Sequence, residues 1–98
     1  MKAILVKGYL AYFAKIENTL EALQHAVGGY IETVPLLAGG VMIVDEEGRL
    51  KGKPDNAIAS LAAGIGIVGD ALIVGVDGEE FCDVPAHYHS LLRLNGQI

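Results

Sequence analysis

Short apolar segments, each interrupted within a few residues by glycine, proline or charged residues, restrict the folds that this chain can form. Five of them, KAILVK, AYFAKI, YIETVPL, VMIVD and DALIVGV, are rich in β-branched residues or alternate in polarity, which is typical of strands. The segment ENTLEALQHAVGG instead predicts a helix, because Asn18 or Thr19 can cap it and two glycines end it. Strands and helices are therefore both expected.

Turn residues complete the predicted fold. Pro54 and Pro85 each open a short helix, and Asp77-Gly78 predicts a hairpin. A second hairpin is predicted to have a strand over 41–45, a turn over 46–48 and a return strand from Arg49. We expect one α+β domain over residues 1–98, with a mainly antiparallel sheet of five to seven short strands and two to three helices. Its ordered part is expected to end at Gly96, with the last residues frayed.

The composition limits the partners that such a domain can have. Hydrophobic residues make up 52% of the chain and charged residues 19%, more apolar surface than a small monomer readily buries, which predicts a homo-oligomer. The net charge of −5 is opposite to that expected of a protein that binds duplex nucleic acid.

The single cysteine, Cys82, fits a reducing compartment. Lys7 and Gly8 interrupt the N-terminal apolar run, so no membrane segment is expected and the predicted location is the cytoplasm.

The segment AGIGIVGD contains the spacing G-x-G-x-x-G at Gly64, Gly66 and Gly69, which in many enzymes binds a dinucleotide. That site requires a strand before the glycines and a helix after them. Here a predicted helix precedes the glycines and a strand follows. The sequence therefore predicts that Gly64 ends a helix, and no cofactor is expected.

A more favourable anion site lies in GRLKGKPDN. If this stretch is extended, Arg49, Lys51 and Lys53 project from one face, and the helix that follows presents free amides nearby. Asp55 and Asn56 are helix-cap residues, and Asn56 can also offer its amide to a base or ribose. These five residues are the predicted binding site for a small anionic ligand. The alternative is that the cations form a solvated strand face.

No metal or catalytic site is predicted. Cys82, His87 and His89 are candidate metal ligands, but the two histidines would point to different sides of a helix, and structural zinc usually requires four ligands. A Cys–His nucleophile would also need an orienting group and an oxyanion site. The paired acids at Glu46 and Glu79 lie in predicted exposed turns. We therefore expect a protein that is not an enzyme.

Three motifs resemble a small uncharacterised family that is carried by bacteriophages and mobile elements and catalogued as a domain of unknown function. They are VGGYIE at the end of the first helix, EEGRLKGKPDN, and GDALIVG in the late strand, and the similarity extends from residue 1 to about 88. Two positions depart from the family pattern: Lys53 replaces a usual apolar residue, and Ala57 replaces a frequent arginine.

The resemblance implies a phage accessory protein with no assigned catalytic residues. Small proteins of this kind often act by binding. One hypothesis is that the chain sequesters a small anionic, nucleotide-derived ligand in a counter-defence role. The alternative is a protein–protein interaction module that blocks a host defence or DNA-processing factor through its acidic turns. A concave basic pocket would favour the first hypothesis, and an exposed apolar or acidic surface the second.

Overall fold

The strands form one antiparallel sheet in a computed structural model, which describes residues 1–94. Their bounds are β1 (Lys2–Lys7), β2 (Leu10–Lys15), β3 (Ile31–Pro35), β4 (Gly40–Asp45), β5 (Ala71–Asp77) and β6 (Glu80–Cys82). The order across the sheet is β2-β1-β5-β4-β3, and β6 extends the sheet by pairing with the end of β5. Strands β2 and β3 therefore lie at opposite edges.

Helices cover both faces of this sheet. Helix α1 (Leu20–Val27) packs against β3, β4 and β5, whereas α2 (Ala57–Ala63) and the C-terminal 3₁₀ helix (Ala86–Leu94) pack on the other face against β1 and β2. The Thr19 side chain caps α1 by accepting a hydrogen bond from the Ala22 amide at 3.2 Å. The predicted α+β class, with six strands and three helices in the described residues, is confirmed.

Alternation along the central strands divides the core between the two faces. Met42 and Val44 of β4 pack on the α2 side, whereas Val41 and Ile43 pack on the α1 side. Every residue of β4 is buried, because β4 lies between two strands and helices cover both faces of the sheet. The burial includes Asp45, the last residue of the strand.

The predicted return strand from Arg49 is wrong. Residues 46–52 form successive turns, in which the Lys51 amide donates to the Glu47 carbonyl at 3.0 Å and the Gly52 amide donates to the Arg49 carbonyl at 3.1 Å. Strand β4 already pairs with β3 on one side and β5 on the other, so it has no free edge for another strand. The basic residues consequently do not alternate along an extended backbone.

The predicted helix end at Gly64 is confirmed. Gly64 closes α2 with a φ of 73°, and its amide donates to the Ser60 carbonyl. Helix α2 precedes the three glycines and β5 follows them, which is the reverse of the dinucleotide-binding order.

Gly96, the predicted end of the ordered part, lies outside the described residues. Within residues 1–94, no helix is both long and apolar enough to cross a membrane.

Candidate functional site

Two of the three predicted anion-binding cations contact a buried carboxylate of the protein itself. The Asp45 side chain is fully buried, and its Oδ2 lies 2.8 Å from Lys51 Nζ and 2.7 Å from Lys53 Nζ. The other oxygen, Oδ1, accepts a hydrogen bond from the Glu47 amide at 2.9 Å. The turns after β4 bring both lysines back to the end of that strand. The two ammonium groups thus neutralise an internal anion.

The same lysines bind the C-terminal end of α1. Lys53 Nζ donates to the Val27 carbonyl at 2.8 Å, and Lys51 Nζ donates to the Gly28 carbonyl at 3.1 Å. These carbonyls carry the negative end of the helix dipole, where cations are stabilising. The adjacent Gly29 has no room for a side chain, because a Cβ there would lie 2.5 Å from Asp45 Oδ1. Helix α1, the turns after β4 and the end of β4 meet at these three side chains, Asp45, Lys51 and Lys53, which we call the Asp45 cluster.

The contacts among these side chains shift the pKa values of Asp45 and Lys51, in each case toward the charged form. Burial by itself raises the pKa of Asp45, but hydrogen bonds from Lys51, Lys53 and the Glu47 amide outweigh it and hold this pKa well below its ordinary value. The hydrogen bond with Asp45 raises the pKa of Lys51. The carboxylate therefore remains ionised, with both lysines as partners, throughout the neutral and mildly acidic range.

The other three predicted ligand residues also make internal contacts. Arg49 donates to the Gly66 carbonyl at 2.9 Å, and the backbone of Asp55 forms an isolated β-bridge with Val68. Asn56 is buried, and its Oδ1 caps α2 by accepting from the Ala59 amide at 3.0 Å. Its Nδ2 donates to the carbonyls of two other segments, at residues 6 and 69. The side chains of Arg49, Lys51, Lys53 and Asn56 therefore bind groups within the protein, whereas Asp55 contributes its backbone and is exposed.

Asp45 is the member of this cluster that sequence analysis missed. The local pattern VMIVD indicates a strand that ends in an acid, which is ordinarily a solvated position. A signal was nevertheless present, since a strand of uninterrupted apolar residues is typical of burial on both faces. An acid that continues such a strand needs cationic partners, and Lys51 and Lys53 follow within eight residues.

A small cavity lies between the turns after β4 and the segment that follows α2. It has a volume of about 270 Å³ and includes Glu32, Glu46, Leu50 and Ile65 among its lining residues. We call the surface formed by these four residues the Leu50 face. Leu50 is 86% exposed and Ile65 is 56% exposed, whereas Val68 in the cavity wall is half-buried. The face therefore combines two exposed aliphatic side chains with two exposed carboxylates.

The candidate metal ligands do not converge. Within residues 1–94, no group of three histidine, cysteine, aspartate or glutamate side chains is placed to hold a metal ion. The His89 ring packs edge-on against Phe13 with 5.0 Å between centroids, and the His87 ring packs against Tyr88. Cys82 is half-buried beside Gly75. The histidines thus make aromatic packing contacts.

Comparison with protein families identifies the relationship that the motifs indicated. The family model described as "Domain of unknown function (DUF3846)" matches residues 1–93. The chain belongs to this family. No curated protein and no solved structure matches this DUF3846 domain. The resemblance to an uncharacterised family is confirmed, and its phage or mobile-element origin stays a prediction.

Proposed function

We propose that this DUF3846 protein is a non-enzymatic interaction module that binds a basic surface of another protein through the Leu50 face. The exposure of Leu50 and Ile65 beside Glu32 and Glu46 is the observation that carries this proposal. An exposed aliphatic pair with a polar rim is typical of an interaction site. The adjacent cavity offers a recess for an apolar side chain of the partner.

Charge defines the chemistry of that partner. The chain has a net charge of −5, and Glu32 and Glu46 of the face are exposed. Arg49 also lines the cavity, where its guanidinium donates to the Gly66 carbonyl. Such a surface complements a basic patch that carries an apolar side chain, which is the character of many nucleic-acid-binding surfaces. We therefore propose a host defence or DNA-processing factor as the partner, and a phage counter-defence setting for the interaction.

The test compares two variants of the face with a matched control. Leu50→Ser and Ile65→Ser alter the face, whereas Leu37→Ser alters an equally exposed leucine (79%) in the turn between β3 and β4. The parent protein is used as bait in bacterial lysate, retained proteins are identified by mass spectrometry, and the affinity of each purified candidate is measured. We expect a partner with a basic binding surface whose affinity falls about 10- to 100-fold with Leu50→Ser, because a buried leucine contributes about 1.5–3 kcal/mol.

Three results would contradict this proposal. The first is a partner that binds the Leu50→Ser and Leu37→Ser variants equally well. The second is an affinity for the partner that does not weaken with added salt, because the proposed interface rests on complementary charges. The third concerns oligomeric state, for which a homo-oligomer stays predicted. If light scattering shows a parent dimer that Leu50→Ser converts to a monomer, a second copy of the chain occupies the face.

Sequestration of a small anionic, nucleotide-derived ligand is the second candidate function. At Arg49, Lys51 and Lys53 it would require the ligand to displace the Asp45 carboxylate, two helix carbonyls and the Gly66 carbonyl. Displacement would leave Asp45 buried without its cations, which is strongly unfavourable. A ligand of this class therefore needs a different site, with cations that have no internal anion.

A further inference from the structure

Lys2 and Lys15 face each other at one end of the β1–β2 hairpin. They are cross-strand partners, and Met1 and Ile16 exchange both backbone hydrogen bonds in the adjoining pair, at 2.7 and 2.9 Å. Lys2–Lys15 is consequently the next, non-hydrogen-bonded pair, in which opposing side chains lie closest. Like charges directly opposite each other destabilise a hairpin. An anion bound between the two ammonium groups would remove this repulsion.

Neither of these lysines has an internal carboxylate partner. Lys7 pairs with Asp70, and Lys51 and Lys53 pair with Asp45, but within residues 1–94 no carboxylate lies within 4.0 Å of either ammonium of the Lys2–Lys15 pair. The nearby Asp83 carboxylate accepts a hydrogen bond from the Lys2 backbone amide at 2.7 Å. Lys2 and Lys15 thus place two positive charges on adjacent strands, in a chain whose net charge is −5.

An aromatic ring lies beside the two cations on the same face of the hairpin. Phe13 pairs with Ile4, two residues from the Lys2–Lys15 pair, and the residue is 40% exposed. Lys2 Nζ lies 4.1 Å from the ring centroid, and His89 packs edge-on against the ring. Phe13 is therefore held in position while part of its ring surface remains accessible.

These groups line a cleft beside the β1–β2 hairpin. Its volume is about 660 Å³, and its walls include Lys2, Phe13, Lys15 and Asp83. Ligand sites for small molecules typically span about 300–1,000 Å³. The cleft lies at the β2 edge of the sheet, whereas the Leu50 face includes Glu32 of β3 at the opposite edge. The two surfaces are thus separate.

We propose that this cleft binds an aromatic phosphomonoester, of which a nucleoside monophosphate is the simplest example. A phosphomonoester carries close to two negative charges at neutral pH, which match the two ammonium groups. Lysine binds phosphate as a point charge, so no bidentate geometry is required. Phe13 supplies the apolar contact for the base. This site is independent of the protein-binding function and gives ligand sequestration a location.

The test is titration calorimetry with adenosine monophosphate, inorganic phosphate and adenosine as separate probes. We expect adenosine monophosphate to bind the parent with a Kd below about 1 mM, and the other two to bind at least about tenfold more weakly. Lys15→Gln should weaken binding of adenosine monophosphate by about tenfold or more, since it removes a charge-assisted contact. Lys7→Gln is the matched control, because Lys7 lies on the same hairpin but pairs with Asp70.

A readout without ligand accompanies the titration. Because Lys15→Gln removes a like-charge contact, its Tm should be equal to or above that of Lys7→Gln. Amide chemical shifts of the unmodified parent provide a measurement that needs no variant, and adenosine monophosphate should shift the signals of Lys2, Phe13 and Lys15. The proposal is overturned if adenosine monophosphate shifts none of them, if adenosine binds as tightly, or if Lys15→Gln and Lys7→Gln bind equally well.

Discussion

Asp45→Ala is expected to lower the free energy of unfolding by about 2–4 kcal/mol, because it removes three hydrogen bonds to a buried, ionised acceptor. The loss is smaller than the sum of three separate bonds. The Lys51 and Lys53 side chains are 40% and 22% exposed, so both can regain hydration when the carboxylate is absent. Chemical denaturation at neutral pH measures the effect.

Asp77→Ala is the control for this variant, since Asp77 ends β5 in an exposed position. Substitutions at such positions usually change stability by less than about 0.5 kcal/mol. Gly29→Ala should also lower the free energy of unfolding, because the added Cβ would displace the side chain of Asp45 or Lys51. Equal stability of the Asp45→Ala and Asp77→Ala variants would show that the cluster contributes nothing to the fold.

The difference in stability between the parent and Asp45→Ala should also depend on pH. Folding lowers the pKa of Asp45, so the folded state binds fewer protons than the unfolded state around the unfolded pKa of about 3.9. The contribution of Asp45 is therefore fully present above that pKa and is lost as pH falls below it. We expect the difference between the two free energies of unfolding to narrow progressively as pH falls below about 5, and to persist in part at pH 2 because the folded-state pKa is so low.

Asn56→Ala should cost about 3–4 kcal/mol, since the side chain is 1% exposed and makes three hydrogen bonds. Its loss leaves two carbonyls without a donor and removes the cap of α2. Asn56→Asp separates these effects, because a carboxylate retains the capping acceptor but cannot donate to the carbonyls of Val6 and Gly69.

Asn18→Ala is the matched control for Asn56→Ala. Asn18 donates a single exposed hydrogen bond to the Phe81 carbonyl at 3.0 Å, and its loss should cost less than about 1 kcal/mol. Thermal denaturation without ligand compares the variants. If Asn56→Ala is no more destabilising than Asn18→Ala, Asn56 is not the structural link between α2, β1 and the segment before β5.

Local patterns were sufficient to predict most of the elements. β1 was predicted with its observed bounds, and the glycine pair after α1 ends that helix where expected. Such signals act over a few residues, and neighbouring side chains and turn geometry supply them. The predicted hairpin at Asp77-Gly78 likewise follows from its own turn, which joins β5 to β6.

The candidate site depended on contacts that local patterns do not contain. Lys53 reaches the Val27 carbonyl, 26 residues earlier in the chain, so its role is set by how α1 packs on the sheet. The expectation of an extended basic stretch failed because the preceding strand was already paired on both sides. By contrast, the Lys2–Lys15 pair is set locally, by the register of a hairpin whose two-residue turn is Gly8 and Tyr9.

The central claim is that Lys51 and Lys53 stabilise the fold by binding the Asp45 carboxylate and do not form an open anion site. Carboxyl ¹³C chemical shifts of Asp45, followed by NMR as pH is lowered, test it most directly. We predict that this carboxyl remains ionised well below the ordinary aspartate pKa of about 3.9, with both lysines in contact. A titration at the ordinary value would contradict the claim, because it would mean that the two lysines are free to bind an external anion.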